Sequence, residues 1–323
     1  MKKIITIVLS IAMILTSLAL IACGNNEPAT LKLGLGIVAS AKATSATEEV
    51  NGQGTATFTA AAVLVDAEGK IVKAFIDCAD FTVDYTADGK AVANSSLETK
   101  YEKGANYNMV AYGGAAKEWF EQADAFCSVI VGKTATEVLA LVAETAKGTD
   151  EVINAGCTIY VSDFAKAVEK AIANAADSNA TANDTVKIGV ATTQTTADAT
   201  EEKKGSNKVA TTFFAAAVNA EGKVVAASTD CVEASFGFDA TGASDFDATK
   251  AISTKKELGA SYGMVAYAGA AHEWFEQAAA FDAACLGKTA SEISGLVGNA
   301  DLQAAGCTID VNDFVKAAAK VAK

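Results

Sequence analysis

The sequence has very little histidine and no closely spaced cysteines. His272 is the only histidine among 323 residues, and none of the seven cysteines forms a Cys-x-x-Cys pair. Protein zinc sites are built from such spacings of cysteine and histidine, so no metal site is expected.

The sequence also has fewer basic than acidic residues. The chain has 26 lysine and arginine residues against 39 aspartate and glutamate residues, which gives a formal charge of −13. An acidic protein is repelled by the phosphate backbone, so nucleic acid is not an expected partner.

The N-terminus carries a long apolar run instead. Lys2 and Lys3 precede the apolar stretch from Ile4 to Leu20, which ends at Leu20-Ile21-Ala22-Cys23. A transmembrane helix is the alternative interpretation, since about 17 apolar residues is near the lower limit for a span. The basic start and the small residue before Cys23 favour a cleaved signal peptide.

We therefore predict a lipoprotein signal peptide at residues 1–22, with a lipidated cysteine and tether at residues 23–30. Loss of Lys2 and Lys3 with the signal peptide would change the formal charge from −13 to −15. Acyl chains on Cys23 would anchor the protein in the cell membrane, because each buried methylene contributes roughly 0.8 kcal/mol. The remaining chain would face the extracytoplasmic side.

One domain-sized unit occurs twice. The segment from Tyr112 to Gln122 returns almost unchanged from Tyr267 to Gln277, and the two tryptophans stand at positions 119 and 274. We predict a first repeat unit at 31–175, a polar linker at 176–185 and a second unit at 186–323.

Each unit is predicted to be α+β, with a small, mainly antiparallel sheet packed on one long and one or two shorter helices. A first strand is expected at Lys32–Val38, followed by a mobile Ser/Thr/Ala-rich loop. A hairpin follows, with its turn at Asp66–Lys70, where Gly69 supplies the positive φ that such turns need. The corresponding elements of the second unit are Val186–Val190 and the turn at 219–223 with Gly222.

The second half of each unit is predicted to be mostly helical. A third strand pair is expected around Tyr85–Lys90, and a long helix follows from the apolar spacing. Thr134-x-x-Glu137 and Thr289-x-x-Glu292 have the pattern of a capping box. The further predicted elements are helices at 107–131 and 262–286, strands at 157–161 and 307–311, and final helices capped by Ser162 and Asn312.

Six cysteines remain after Cys23, three in each unit. Cys78 and Cys157 correspond to Cys231 and Cys307, whereas the remaining two cysteines do not correspond. Outside the cytoplasm, a recurring pair suggests one disulfide within each unit. The alternative is that these are small buried thiols, because free cysteine packs as an apolar residue.

Two short motifs resemble functional sites but have structural explanations. Gly132-Lys-Thr134 looks like the end of a phosphate loop, but Cys127 stands where the required glycine would be, so we interpret the motif as a helix cap. His272 aligns with Lys117 in the first unit, which favours a surface position. With one unmatched histidine, a duplicated Ser/His/Asp or Cys/His catalytic set cannot be built.

The repeated Glu-Trp-Phe-Glu-Gln segment is the best sequence candidate for a ligand site. The tryptophans and nearby tyrosines could form an aromatic wall for a planar or sugar ligand, oriented by the glutamates and glutamines. The alternative is that the segment belongs to the core, with the tryptophan at its margin. The candidate ligand-binding residues are Tyr107, Glu118, Trp119, Gln122, Tyr262, Glu273, Trp274 and Gln277.

These motifs together carry a resemblance. The lipobox at Cys23, the Glu-Gly-Lys turns, the Glu-Trp-Phe-Glu-Gln segments and the Gly-Lys-Thr-x-x-Glu motifs resemble those of tandem-repeat surface lipoproteins of anaerobic, Gram-positive-type bacteria. The chain is also faintly similar to FMN-binding extracellular lipoproteins. Asp239-Ala-Thr-Gly-Ala-Ser244 resembles their flavinylation signature, but its aspartate is one residue too close, which favours a turn.

Three hypotheses for function follow. The leading one is a membrane-anchored extracytoplasmic lipoprotein with two homologous, non-catalytic modules that bind a small molecule or a surface protein, without a cofactor. The second is a flavin-associated redox lipoprotein carrying FMN. The third is a cell-wall or glycan hydrolase that uses Glu118 with Glu121, and Glu273 with Glu276, since residues three apart share a helix face.

Overall fold

The structure is a computed structural model that describes residues 29–94 and 96–321. The predicted signal peptide and Cys23 lie outside the described residues. The first unit contains β1 Leu31–Thr44, β2 Gly52–Val65, β3 Ile71–Tyr85, α1 Lys100–Lys103, α2 Trp119–Ile130, α3 Ala135–Leu139, α4 Asp150–Ala155, α5 Ser162–Ala173 and β4 Ala176–Ala180. The second contains β5 Thr185–Ala197, β6 Gly205–Val218, β7 Val224–Phe238, α6 Lys255–Leu258, α7 Met264–Ala268, α8 Trp274–Cys285, α9 Ala290–Ile293, α10 Ala300–Ala304 and α11 Asn312–Val321.

The strands form two antiparallel sheets, with orders β3-β2-β1-β4 and β5-β6-β7. This confirms the predicted α+β class. The predicted hairpin is also present: Gly69 has φ 76°, and Asp66 Oδ1 accepts hydrogen bonds from the backbone N–H groups of Glu68 and Lys70. The turn around Gly222 has the same form.

The predicted mobile loop after the first strand is wrong. β1 continues to Thr44 and pairs with β2 in unbroken register from Lys32↔Val65 to Thr44↔Gln53. Threonine is β-branched and suits a strand, and in this stretch partly buried alanines alternate with exposed residues. The second unit repeats the arrangement with β5 and β6.

Three further predictions are corrected. The expected strand pair after Tyr85 is a tight turn closed by the single bridge Tyr85↔Ala91. The expected strands at 157–161 and 307–311 are irregular: Thr158 and Thr308 donate their backbone N–H groups to glutamine side chains, and Tyr160 forms only an isolated bridge with Lys147. Part of the predicted polar linker forms β4, which pairs with β1.

The two sheets pack face to face. Their shared core contains buried residues from both units, including the rings of Tyr85 and Phe238, which stack 4.5 Å apart at 5°. The helices cover the outer faces, with α2 and α5 on the first sheet and α8 and α11 on the second. The molecule therefore has four layers, in the order helices, sheet, sheet, helices.

Contacts between the units come in matched pairs. Ala46 N–H donates to Gly242 O, and Ala199 N–H donates to Gly89 O, both at 2.8 Å. Two ion pairs also cross between the units, joining Lys170 to Glu257 and Lys320 to Glu102. In each pair of contacts, a residue of the first unit that binds the second unit has an equivalent in the second unit that makes the same bond to the first. The two units are therefore related by an approximate twofold axis.

Glycine in the first strand of each unit lets a helix approach the sheet closely. A Cβ at Gly34 would lie 1.8 Å from the carbonyl oxygen of Ala171, and one at Gly189 would lie 1.9 Å from that of Ala317. Because Cβ atoms cannot approach so closely, any larger residue would push α5 or α11 off its sheet.

Candidate functional site

The helix that carries the repeated Glu-Trp-Phe-Glu-Gln segment is shorter than predicted. It begins at Trp119 rather than Tyr107, and its N-cap is Glu118. The preceding backbone turns at Asn108, with φ 63°, and at Gly114, with φ 67°. Positive φ values interrupt a right-handed helix, so Tyr107 lies on a separate turn that folds back towards the helix.

Glu118 holds this turn in place. Its carboxylate is buried and accepts hydrogen bonds from the backbone N–H groups of Met109 at 2.9 Å and Val110 at 3.2 Å. Glu273 binds Met264 and Val265 in the same way. The carboxylates of these two predicted ligand-binding residues are therefore occupied by the backbone of the preceding turn.

The same geometry argues against the carboxylate pair of the hydrolase hypothesis. Glu121 accepts a hydrogen bond from the backbone N–H of Glu118 at 2.8 Å, and Glu276 does so for Glu273. Glycoside hydrolysis needs two carboxyl groups that face each other across a substrate bond. Here both carboxylates are bound to backbone amides at a helix N-terminus.

Gln122 joins the start of its helix to the segment that contains Thr158. Its amide donates to Lys117 O at 3.0 Å and accepts from Thr158 N–H at 2.9 Å and from the Thr158 hydroxyl. Gln277 makes the equivalent bonds to His272 and Thr308. Like the glutamates, these glutamines fix the segments on either side of the site.

The predicted aromatic residues do meet at a cavity in each unit. Tyr107 and Trp119 line a cavity of about 360 Å³, and Tyr262 and Trp274 line one of about 630 Å³. At nine equivalent positions, the same residue type lines both cavities. They are Thr59/Thr212, Cys78/Cys231, Lys100/Lys255, Tyr107/Tyr262, Met109/Met264, Trp119/Trp274, Ile159/Ile309, Asp163/Asp313 and Phe164/Phe314.

A lysine at the centre of each cavity was not predicted from the sequence. Lys100 Nζ lies 3.0 Å from Asp80 Oδ2 and faces the rings of Tyr107 and Trp119, at 5.4 and 5.9 Å from their centroids. An ammonium group in this position is attracted to both aromatic faces.

Lys255 has matching surroundings. Its Nζ lies 2.9 Å from Glu233 and faces the rings of Tyr262 and Trp274 at 4.9 and 5.5 Å. Burial lowers the pKa of Lys255, but Cys231, Tyr262 and the Glu233 carboxylate raise it, and the net pKa lies above the ordinary value. The pKa of Lys100 is raised in the same way, so both lysines are charged at neutral pH.

A buried aspartate anchors the short helix that carries each lysine. Asp77 accepts hydrogen bonds from the Thr99 hydroxyl at 2.7 Å and from the backbone N–H groups of Cys78 and Tyr101. Burial raises the pKa of Asp77 to about 6, against these hydrogen bonds, which lower it. Asp230 occupies the equivalent place, and burial raises its pKa as well.

The predicted disulfides are not formed: all six cysteines in the part of the chain that the structure describes are free and buried. Cys78 accepts a hydrogen bond from the Thr59 hydroxyl at 3.7 Å and lies near Lys100. Cys157 lies near Cys127 instead. The alternative of buried thiols packed as apolar residues therefore describes them better.

Burial also keeps the cavity thiols protonated. It raises the pKa of Cys78 and of Cys231 to about 12, although the nearby lysines lower it. Because the thiolate is the nucleophilic form of cysteine, neither thiol is activated for covalent catalysis.

The remaining motifs are structural. Thr134 and Thr289 cap short helices with Glu137 and Glu292, as the capping-box pattern predicts. Asp239 Oδ1 accepts hydrogen bonds from the backbone of a turn at residues 239–243. The single histidine, His272, is about half exposed.

The sequence did contain a signal for the lysines. Thr99-Lys100-x-Glu102-x-Gly104 recurs as Thr254-Lys255-x-Glu257-x-Gly259, and both threonine–glutamate pairs are capping boxes. The repeated lysine within this otherwise structural motif marked the site, but its contact with the tryptophan depends on the tertiary fold.

Comparison of the chain with protein-family models, with curated proteins and with solved structures found no match. Within residues 29–94 and 96–321, no cluster of three or more His, Cys, Asp or Glu side chains is arranged to hold a metal ion. Over the same residues, no helix has both the length and the apolarity that a membrane span requires.

Proposed function

We propose that the protein is a membrane-anchored extracytoplasmic lipoprotein whose two homologous units are non-catalytic binding modules, each with its own small-molecule cavity. The observation that carries the proposal is the duplicated cavity centre. In both units a lysine is held by a carboxylate from the third strand of the unit and faces one tyrosine and one tryptophan. Ligand sites typically combine a mostly apolar cavity with a small number of polar groups that point into it.

The chemistry of the cavity favours binding over catalysis. The thiols of Cys78 and Cys231 have pKa values of about 12, and the charged lysines cannot act as bases at neutral pH. Each cavity therefore offers hydrogen-bond donors, a positive charge and aromatic surfaces, which orient a ligand without reacting with it.

The proposed anchor rests on the sequence at Cys23. The apolar run, the small residue at Ala22 and the cysteine support acylation at this position. Replacing Cys23 with alanine should abolish incorporation of labelled palmitate and release the protein from the membrane fraction. Unchanged labelling of the Cys23→Ala variant would rule out this anchor.

Cavity-filling variants test the binding function without assuming a ligand. Thermal-shift measurements would screen flavins, sugars, peptides and amino acids against the wild type, because a ligand that binds only the native state raises its stability by about 2.7 kcal/mol at 100 times Kd. Met109→Trp and Met264→Trp should remove the shift, since both methionines line a cavity. Val110→Trp is the matched control, because Val110 is exposed.

Two results would contradict the proposal. One is an undiminished thermal shift in the doubly filled variant, which would place the ligand elsewhere. The other is a flavin absorbance or flavin mass adduct on the purified wild-type protein, which would favour the redox alternative.

A further inference from the structure

We propose that each cavity binds a free α-amino acid, with the ligand carboxylate on the lysine and the ligand ammonium group on the aspartate that lines the same cavity. This inference rests on the proposed function and specifies its ligand. It also assigns a different side-chain preference to each unit, apolar in the first and basic in the second.

The lysine supplies the anion-binding end. The side chain of Lys100 is only 15% exposed and that of Lys255 only 14% exposed. An ammonium group has three donors, and the ion pair with Asp80 or Glu233 leaves donor capacity for a ligand carboxylate. Hydrogen bonds between two ionised partners are the stronger kind.

An aspartate supplies the cation-binding end. Asp163 and Asp313 stand in the first turn of α5 and α11 and line the same cavities as the lysines. Asp313 accepts hydrogen bonds from the Thr193 hydroxyl and from Lys316. Burial raises the pKa of Asp313, but these partners lower it more, and the net pKa lies below the ordinary value. The adjacent Phe314 gives the ligand ammonium group an aromatic neighbour as well.

Apolar side chains also line both cavities. In the first unit, Met109, Trp119, Ile159 and Phe164 line the cavity. Its volume of about 360 Å³ is near the lower end of the roughly 300–1,000 Å³ usual for ligand sites. A compact zwitterion with an apolar side chain matches both the size of the cavity and its pair of opposite charges.

The second cavity is larger and more acidic. Its lining includes Glu233, Asp310 and Asp313 against Lys255, a formal charge of −2, whereas Lys100 with its partner Asp80 and with Asp163 gives a charge of −1 in the first unit. Asp310 replaces Tyr160 of the first unit. An extra carboxylate attracts a second positive charge on the ligand, so the second unit should prefer a basic amino acid such as L-lysine.

Calorimetric titration of the full chain with L-methionine and with L-lysine tests the proposal. Lys100→Met should weaken methionine binding by about 10- to 100-fold, and Lys255→Met should weaken lysine binding by a similar factor, as expected for loss of a charged hydrogen bond. Each variant should leave the other site unchanged. Lys42→Met is the matched control, because Lys42 is an exposed lysine on β1 that lines neither cavity.

A second variant tests the ammonium contact independently of the lysine. Asp163→Asn should weaken methionine binding about tenfold but leave binding of the deaminated analogue 4-(methylthio)butanoate unchanged, since that ligand has no ammonium group. This comparison remains informative if Lys100→Met reduces folding, because it leaves the lysine–Asp80 ion pair intact.

The outcomes separate the ligand class from the proposed function. N-acetylmethionine amide binding as tightly as methionine would overturn the zwitterion proposal. If neither amino acid binds while another ligand binds and is lost in Met109→Trp, the ligand class is wrong and the cavity function stands. If methionine or lysine still binds after both cavities are filled, both proposals fail.

Discussion

Replacing Glu118 with glutamine should destabilise the protein even though the side chain keeps its size. The Glu118 carboxylate accepts hydrogen bonds from two backbone N–H groups, those of Met109 and Val110. Glutamine keeps one acceptor oxygen and presents an NH₂ group to the other N–H. Hydrogen bonds to charged groups contribute about 1.5–3 kcal/mol each, so we expect a loss of about 2–3 kcal/mol.

The twin residue allows an internal check. Glu273→Gln should have a similar cost, because Glu273 binds Met264 and Val265 in the same way. The two sites lie in different units and share no partner, so their effects should add to within about 0.5 kcal/mol. Glu144→Gln is the control, because Glu144 is exposed, and most surface substitutions change stability by less than about 0.5 kcal/mol.

Urea unfolding followed by circular dichroism would measure these changes. The midpoint should fall while the slope stays constant, because the unfolded chain exposes the same surface. A Glu118→Gln variant as stable as Glu144→Gln would refute the anchoring role. If that variant also lost a measurable turnover, the carboxylate would instead be catalytic.

Three further predictions concern the fold. Burial raises the pKa of Asp77 from 3.8 to about 6, so the native state binds the Asp77 proton more tightly than the unfolded state does. Proton binding to this group therefore contributes its full stabilisation, about 3 kcal/mol, below about pH 4. That contribution is lost as the pH rises through 6. Asp77→Asn should remove this pH dependence from unfolding curves measured between pH 4 and 7, and an unchanged difference would contradict the assignment. A double-mutant cycle with Tyr85→Ala and Phe238→Ala should give a coupling of about 0.5–1.5 kcal/mol for the stacked rings, whereas zero coupling would mean that the units do not pack through them. Gly189→Ala should cost about 1–3 kcal/mol by overpacking against α11, while Gly295→Ala, which has open space around it, should change thermal stability little; equal effects would argue against the close approach.

Local chemistry made some elements predictable. The hairpin turn at Asp66–Lys70 follows from glycine and aspartate at fixed positions, and the cap at Thr134 follows from a threonine–glutamate spacing. Both depend on residues within five positions of each other, so the sequence alone contains the necessary information.

Other elements depended on contacts between distant residues. The strand extending to Thr44 forms because β2 supplies a partner for every residue, which the polar composition alone does not reveal. The helix begins at Trp119 because the Glu118 carboxylate binds Met109 and Val110 rather than continuing the helical pattern. Lys100 was missed for the same reason, since it is 19 residues from Trp119 in sequence and meets it only in the folded unit.

The two copies also differ beside the cavities. In the first unit, Tyr101 packs between Phe75 and Phe120. In the second, Lys256 takes the place of Tyr101 and lies 3.1 Å from the Ser228 hydroxyl and 3.8 Å from Asp282.

An aromatic cluster and a polar network can exchange at this position because both fill the same space between the third strand and the long helix. The neighbouring lysine does not exchange. Lys100 and Lys255 precede these variable positions by one residue, yet each keeps its carboxylate, tyrosine and tryptophan partners. A purely structural ion pair can be replaced by apolar packing at little cost, and at the next position the first unit has an aromatic cluster where the second has a polar network. The presence of the charged group in both cavities is what the proposed ligand would require.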